Sequence, residues 1–376
     1  MTRLRGDRDR SGGPILIFPV LDFGGIESRC VTQVREMAAD WPDMRVCVFD
    51  RAGAAAEAVR EAGVPVDVLG VDPAIRNLGA VRVLARYLEE QRPMLIHGCT
   101  GSITFHALLA GRRAGVPIRI VEEVGIPQRG PLGRLVFPQL YRLAHVVIGV
   151  SQAVVDHLVA HEGVPREKAR LVYNAVGSDF LEDGRCANPD DGSAQVISVG
   201  RLAKVKGNDV LIEALAPLLM GQSQVHLQIV GDGPERSELE ALVTRLGVAK
   251  KVSFLGFRSD VSALLDEADV YVLPSRMEGF GLAAAEAMAK QVPIVATRVG
   301  GVPEIVPEWA SNWLVQPDDP ADLRRAVTDL VRMSPGDRAR LGARLREHVE
   351  QRFSPRVYAT QLDELYREQL AKTGAA

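Results

Sequence analysis

Pro274-Ser-Arg-Met-Glu-Gly-Phe-Gly-Leu-Ala-Ala-Ala-Glu286 sets two carboxylates, Glu278 and Glu286, around a glycine-rich turn at the start of an apolar helix. Just before it, ADVYVLP (268–274) reads as a short apolar strand that Pro274 stops. Just after it, LAAAEAMAK (282–290) is a run of strong helix formers. Strand, glycine turn and helix N-terminus make an anion site. The amides of Gly279, Phe280, Gly281 and Leu282 lack intrahelical acceptors, and the helix dipole adds roughly half a positive charge. Glu278 then stands beside the anion and not on it. Glu286 lies among alanines and Met288 on a helix apolar almost all round, so its burial is costly unless it is paired or hydrogen-bonded. Sugar hydroxyls are suitable donors, which gives one reading: Glu278 holds a hexose and Glu286 a ribose. In the other, Glu278 is a helix-start carboxylate and Glu286 pairs with an Arg or Lys elsewhere.

The flanking segments extend the pattern. VISVGRLAKVKGNDVLIEAL (196–215) is a strand, a loop carrying Arg201, Lys204, Lys206 and Gly207, and a helix; cations beside a glycine suit a diphosphate. HLQIVGDGPERSELEALV (226–243) is a strand, a turn that begins at Gly231, and a charged helix. With VSFLGFRSDVSALLDEADVYVLPSRMEGFGLAAAEAMAKQVPIVATRVGGVPEIV (252–306), these motifs resemble the C-terminal half of the retaining glycosyltransferases of glycosyltransferase family 4, which have the two-domain GT-B fold. Arg201, Lys206, Glu278 and Glu286 fall where that family has its paired basic residues and its two glutamates. The resemblance is close over residues 196–306 and looser in the N-terminal half. It implies an α/β protein of two facing Rossmann-like domains, each with a parallel sheet, and an interdomain cleft.

Composition agrees with that architecture. The 376 residues are enough for two domains, and 47% hydrophobic with 25% charged residues is ordinary for a soluble globular protein. A formal charge of −3 excludes the strong basic stripe of a nucleic-acid protein. Residues 101–150 hold arginines 112, 113, 119, 129, 134 and 142 against Glu122 and Glu123, a mild basic patch that is either a solvated surface or a face for a membrane or anionic acceptor. Cys30, Cys47, Cys99 and Cys186 show no paired spacing, which argues against zinc or disulfides and for a reducing, cytoplasmic setting. No window approaches the roughly 20 apolar residues of a membrane span, so membrane association is peripheral at most.

Along the chain, apolar strands alternate with amphipathic helices, the pattern of parallel sheets covered on both faces. Strands are expected at 15–20, 45–50, 66–70, 94–98, 119–123, 146–150 and 170–173, then near 195–200, 225–230, 252–255, 270–273, 293–297 and 312–315. The arginine-rich start reads as a disordered tail over 1–13 rather than a signal peptide, because Pro14 and Pro19 break the apolar run. Residues 14–176 then form an acceptor-side domain and 177–194 a polar linker. Residues 195–354 form the nucleotide-sugar domain, and the helix over 355–376 returns to the N-terminal domain, as GT-B proteins commonly do.

In the first βα turn, DFGGIESRCVTQV (22–34), Gly24 and Gly25 let the backbone approach a ligand, or simply make a tight turn. The resemblance places a phosphate- or acceptor-binding loop there; the three-glycine dinucleotide fingerprint is missing. The chain departs from the family after RIVEE (119–123), where many members have a histidine and this one has Glu122, Glu123 and Val124. Glu122 is therefore a candidate for contacting the sugar or acceptor, with His97 and His106 as nearby alternatives. Ser151 and Asn174 resemble cleft-lining positions.

The resemblance implies transfer of a sugar from a nucleoside diphosphate, UDP- or GDP-linked, to an acceptor hydroxyl with retention. The acceptor is a small molecule, a saccharide or lipid-linked. Arg201, Lys206 and the helix N-terminus would stabilise the leaving diphosphate, with no metal and no further cofactor. Phe257 and Arg258 would border the base. Two rival classes share the architecture: a sugar-nucleotide epimerase, and a non-catalytic sugar-nucleotide-binding subunit. Ala/Arg/Val richness points to a bacterial source.

Overall fold

The computed structural model describes residues 12–22, 24–184, 193–221 and 224–373. Cys186 and residues 185–192 of the expected linker lie outside them, as does the expected tail up to residue 11. The chain divides into two compact units, Met1–Val172 with Tyr358–Ala376, and Tyr173–Val357. Residues 173–176, expected at the end of the first domain, and 177–184, expected in the linker, fall in the second unit.

In the first unit, β1 (Ile15–Phe18), α1 (Gly25–Met37), β2 (Arg45–Val48), α2 (Ala54–Glu61), β3 (Val66–Val68), α3 (Leu78–Gln91) and β4 (Leu95–Gly98) are followed by α4 (Gly101–Arg113), β5 (Ile118–Glu123), α5 (Pro131–Tyr141), β6 (Val146–Gly149), α6 (Gln152–His161) and β7 (Ala169–Leu171). Its seven strands run parallel in the order β3-β2-β1-β4-β5-β6-β7. The central strands β1, β4 and β6 are buried throughout, as a sheet covered on both faces requires. β1 ends at Phe18, two residues short of the expectation, because Pro19 offers no amide to the ladder. Gly12 already bridges to Pro93, so the sheet begins inside the segment expected to be tail.

In the second unit, β8 (Ala194–Val199), α7 (Asn208–Gly221), β9 (Val225–Val230), α8 (Arg236–Arg245), β10 (Val252–Gly256), α9 (Val261–Asp266) and β11 (Val270–Leu273) are followed by α10 (Leu282–Ala289), β12 (Ile294–Thr297), α11 (Val302–Ile305), β13 (Leu314–Val315), α12 (Pro320–Arg332) and α13 (Pro335–Phe353). The six parallel strands run β10-β9-β8-β11-β12-β13. β13 is shorter than expected because Glu308–Trp313 coils into a 3₁₀ turn. In each sheet the strand order reverses once, between β1 and β4 and between β8 and β11. Loops leaving adjacent strands at such a point part to opposite faces and leave a crevice at the carboxyl edge.

The last helix, α14 (Pro355–Thr373), begins in the second unit and continues in the first. Its first-unit part is held by buried polar contacts as well as apolar packing. Gln33 Nε2 donates to the Tyr366 hydroxyl at 3.0 Å, His97 Nδ1 lies 2.7 Å from the same oxygen, and Trp41 Nε1 donates to Asp363 at 2.9 Å. Tyr366 is fully buried, so removing its hydroxyl strands two partners away from water. Tyr366→Phe is expected to destabilise the first unit by about 1–3 kcal/mol, measured as a lower denaturant midpoint at unchanged slope.

Candidate active site

The crevice at the β8/β11 reversal is built from the loops at 200–207 and 274–281. Each loop leaves one of two neighbouring strands at the same edge, which brings together residues 72 positions apart. The turn that carries Glu278 is clamped from both sides by backbone. A Cβ on Gly207 would stand 2.1 Å from the Pro274 carbonyl oxygen, and one on Gly300 would stand 1.8 Å from that of Glu278. Both glycines also have positive φ, so no other residue fits either place without moving the turn.

Within this clamp Glu278 Oε1 accepts from the Ser275 hydroxyl at 2.7 Å and from Lys206 Nζ at 2.5 Å. Ser275 is fully buried and its own carbonyl accepts from Thr297 Oγ1. Arg276 forks onto Asp209 at 2.9 and 2.8 Å and reaches Asp318, fixing the outer side of the turn. Arg201 is exposed and its guanidinium has no partner among the described residues, a cation free to meet an anion. Phe280 points inward, packed between Tyr173 and Phe353 at ring separations of 6.0 and 5.4 Å, and so anchors the turn. Gly281 caps α10 in a left-handed conformation without a side-chain cap, leaving the first-turn amides of Leu282 and Ala283 without acceptors inside the helix. Gly279 is already engaged within the protein.

Glu286 lies one turn further along α10, half-buried. No Arg or Lys pairs with it among the described residues; Lys290, the nearest cation in sequence, is spent on Asp266 and the Glu182 carbonyl. Burial, and then the nearby Asp179 carboxylate, push the Glu286 carboxyl from an ordinary 4.5 up to about 8. It therefore keeps its proton at neutral pH and can donate as well as accept.

Of the other expected contacts, Gly231 lies against the 200–207 loop, where a Cβ would stand 2.0 Å from the Gly200 carbonyl oxygen. Gly231 ends β9, its amide bonded to the Gly256 carbonyl at 2.8 Å. Phe257 is 62% exposed after β10, the edge strand, and Arg258 is locked onto Asp260.

In the first unit, Gly24 and Gly25 open α1 at the β1/β4 reversal, and the Gly24 carbonyl accepts from the Ser28 amide at 2.9 Å. Glu122 is not an open carboxylate. It is 1% exposed, ion-paired to Arg29 of α1 and 3.4 Å from His97 Nε2. Burial works against its charge, but Arg29 and then His97 outweigh it and hold the carboxyl below its ordinary range. Glu123 is likewise consumed by Arg129 at 3.0 Å and Tyr141 at 2.7 Å. His97, Cys99 and Glu122 gather within 4.8 Å, but the buried Arg29 cation already neutralises the carboxylate a metal ion would need. His106 is buried against the Ser102 carbonyl, and Ser151 caps α6 through the Val154 amide. Asn174, in the second unit, is buried and already engaged. Ser275 and Arg276, which position Glu278, were not singled out from sequence; their only signal is their place in the Pro274–Glu286 run.

Two family models match the chain side by side: "Glycosyltransferase Family 4" over residues 23–180 and "Glycosyl transferases group 1" over residues 182–348. Among curated proteins, the putative colanic acid biosynthesis glycosyltransferase WcaL of Escherichia coli is 32% identical over 61% of this chain and 58% of its own length. The D-inositol 3-phosphate glycosyltransferase of Corynebacterium urealyticum is 34% identical over 59% and 56%. The matched segment is thus less than two thirds of either relative. Among solved structures, Anabaena HepE in complex with UDP and glucose superposes with a TM-score of 0.80 at 24% identity, covering 95% of this chain and 99% of that one.

The raised Glu286 pKa carries a stability signature. The unfolded carboxyl loses its proton near 4.5 and the folded one near 8, so the folded state binds more protons between these values and stability falls as pH rises through that window. Glu286→Gln removes the loss: its stability is expected to match wild type at pH 4, below both values, and to exceed it by about 2–4 kcal/mol at pH 8.5, read by thermal unfolding.

Proposed function

The chain belongs to glycosyltransferase family 4 and has the GT-B fold, and from that membership we propose that it moves a hexose-type sugar from a nucleoside-diphosphate sugar to an acceptor hydroxyl with retention at the anomeric carbon. The observation that carries this reading is the Lys206–Glu278 pair clamped at the β8/β11 crevice beside the unpartnered Arg201. In this reading the bond from the anomeric carbon to the diphosphate oxygen breaks with both electrons leaving on that oxygen. The acceptor oxygen attacks from the same face, and its proton passes to the departing phosphate. Lys206, Arg201 and the first-turn amides of α10 are placed to meet the charge that develops on the diphosphate, where fixed donors lower the barrier most. In this reading they neutralise that charge without a metal ion or further cofactor.

Glu278, with Oε1 taken by Ser275 and Lys206, offers its other oxygen to the sugar hydroxyls. Protonated Glu286 suits the ribose, and the base is uracil or guanine. The first unit takes the acceptor side, which fits a small molecule, a saccharide or a lipid-linked acceptor. We place the reaction in the cytoplasm. Nothing in either unit favours an epimerase or a binding-only subunit: the former would change the donor with no acceptor present, the latter would hold it unchanged.

The test is turnover of UDP- and GDP-sugars against an acceptor panel in the presence of a chelator, with the anomeric configuration of the product read by NMR. Product of retained configuration is expected, with Lys206→Ala slower by about 10²–10³-fold in kcat, and Glu286→Ala raising KM for the donor. Wild-type kinetics in Lys206→Ala, or inverted product, would overturn the reading.

A further inference from the structure

Helix α6 ends with two histidines one turn apart, His157 and His161. Residues at that spacing share one face of a helix, and two imidazoles so placed can grip a single metal ion. Here the rings stand side by side, their centroids 4.9 Å apart and their planes tilted by 48°. Among the described residues no other two histidine rings meet. The His157 side chain is 26% exposed and His161 is exposed, so an ion can reach both from solvent. His161 is the last residue of α6, where the free carbonyls of a helix end favour a cation. A third donor stands beside them. Glu162, which closes the helix, holds Oε1 at 3.8 Å from His157 Nε2. That is too long for a hydrogen bond, and close to the roughly 3.4 Å that separates two ligands of a tetrahedral zinc ion. Glu162 is itself fixed in place: it is buried, and its Oε2 accepts from Arg129 Nε at 2.6 Å. Arg129 is shared in turn with Glu123 at the end of β5 and with the Tyr141 hydroxyl at the end of α5.

We propose that His157, His161 and Glu162 form a binding site for a divalent transition-metal ion such as zinc, which ties the end of α6 to the loop after β5. Imidazole is the commonest ligand for such ions, whereas magnesium and calcium take shells built from oxygens. Two imidazoles and one carboxylate leave the fourth position of a tetrahedral ion to water. The tie runs through Glu162: metal on Oε1 and Arg129 on Oε2 hold the carboxylate from both sides, and Arg129 carries the link to Glu123 and Tyr141. Because these ligands come together only in the folded chain, bound metal stabilises the first unit by mass action. The inference goes beyond the transferase reading and does not rest on it, since the proposed transfer uses no metal and metal binding is read without turnover.

Calorimetric titration of the full chain, prepared without a histidine tag, with zinc chloride and separately with magnesium chloride tests it. Zinc is expected to bind more tightly than magnesium and to raise the unfolding temperature. His157→Gln with His161→Gln should remove one equivalent of bound zinc together with the rise in unfolding temperature. Each histidine substitution alone should weaken zinc by about 10–100-fold, and Glu162→Gln by about tenfold. Circular dichroism melting in the presence of a chelator establishes that the variants are folded, and the surface histidine variants carry the test if Glu162→Gln is not. No zinc binding, zinc held no more tightly than magnesium, or zinc binding unchanged in the double histidine variant overturns the proposal. So does full zinc affinity in folded Glu162→Gln, because the tie to the loop after β5 runs through that carboxylate.

Discussion

Glu278 is held at three points: one carboxylate oxygen is shared by Ser275 and Lys206, its carbonyl lies against Gly300, and the turn in front of it rests on Gly207. Together these constraints come from the ends of three strands of the second sheet: Lys206 and Gly207 after β8, Ser275 after β11 and Gly300 after β12. The turn can therefore be in place only if those strands are paired in register, and the buried Phe280 ties it to the aromatic cluster beneath. A carboxylate that has spent one oxygen on a buried hydroxyl and a lysine cannot swing, so the geometry exists before any ligand arrives. Preorganisation of this kind is what lets fixed charges act on a developing anion without reorganising at the moment of reaction.

Much of this was legible in the sequence because parallel sheets write themselves locally. Many strands are short apolar runs closed by Gly or Pro, and helices follow as amphipathic or apolar stretches, so element order and the crevice motifs could be read directly. The contacts that decide the site are not local. Lys206 and Glu278 are 72 residues apart, and only the family resemblance joined them. Ser275 has no distinguishing neighbour. Glu122 failed for the same reason in reverse: an acid at a strand end looks open until Arg29, 93 residues earlier, is seen to cover it. The boundary near Val172 was missed because Tyr173 and Phe180 pack into the second unit within a stretch whose composition is polar.

Charge is used differently in the two units. In the first, the buried acids Glu122 and Glu123 at the end of β5 are neutralised by Arg29 and Arg129. In the second, the exposed Arg201 has no partner among the described residues, and Glu286, which no Arg or Lys pairs there, keeps a raised pKa as the mark of its burial.

Thermal unfolding against UDP, GDP, ADP and TDP, each with a chelator present, tests this most directly. One nucleoside diphosphate at about 100 times its Kd should stabilise the wild-type protein by roughly 2.7 kcal/mol, with Lys206→Ala losing most of the shift. Stabilisation by none of the four, or an undiminished shift in Lys206→Ala, would contradict the placement of the diphosphate at the β8/β11 crevice.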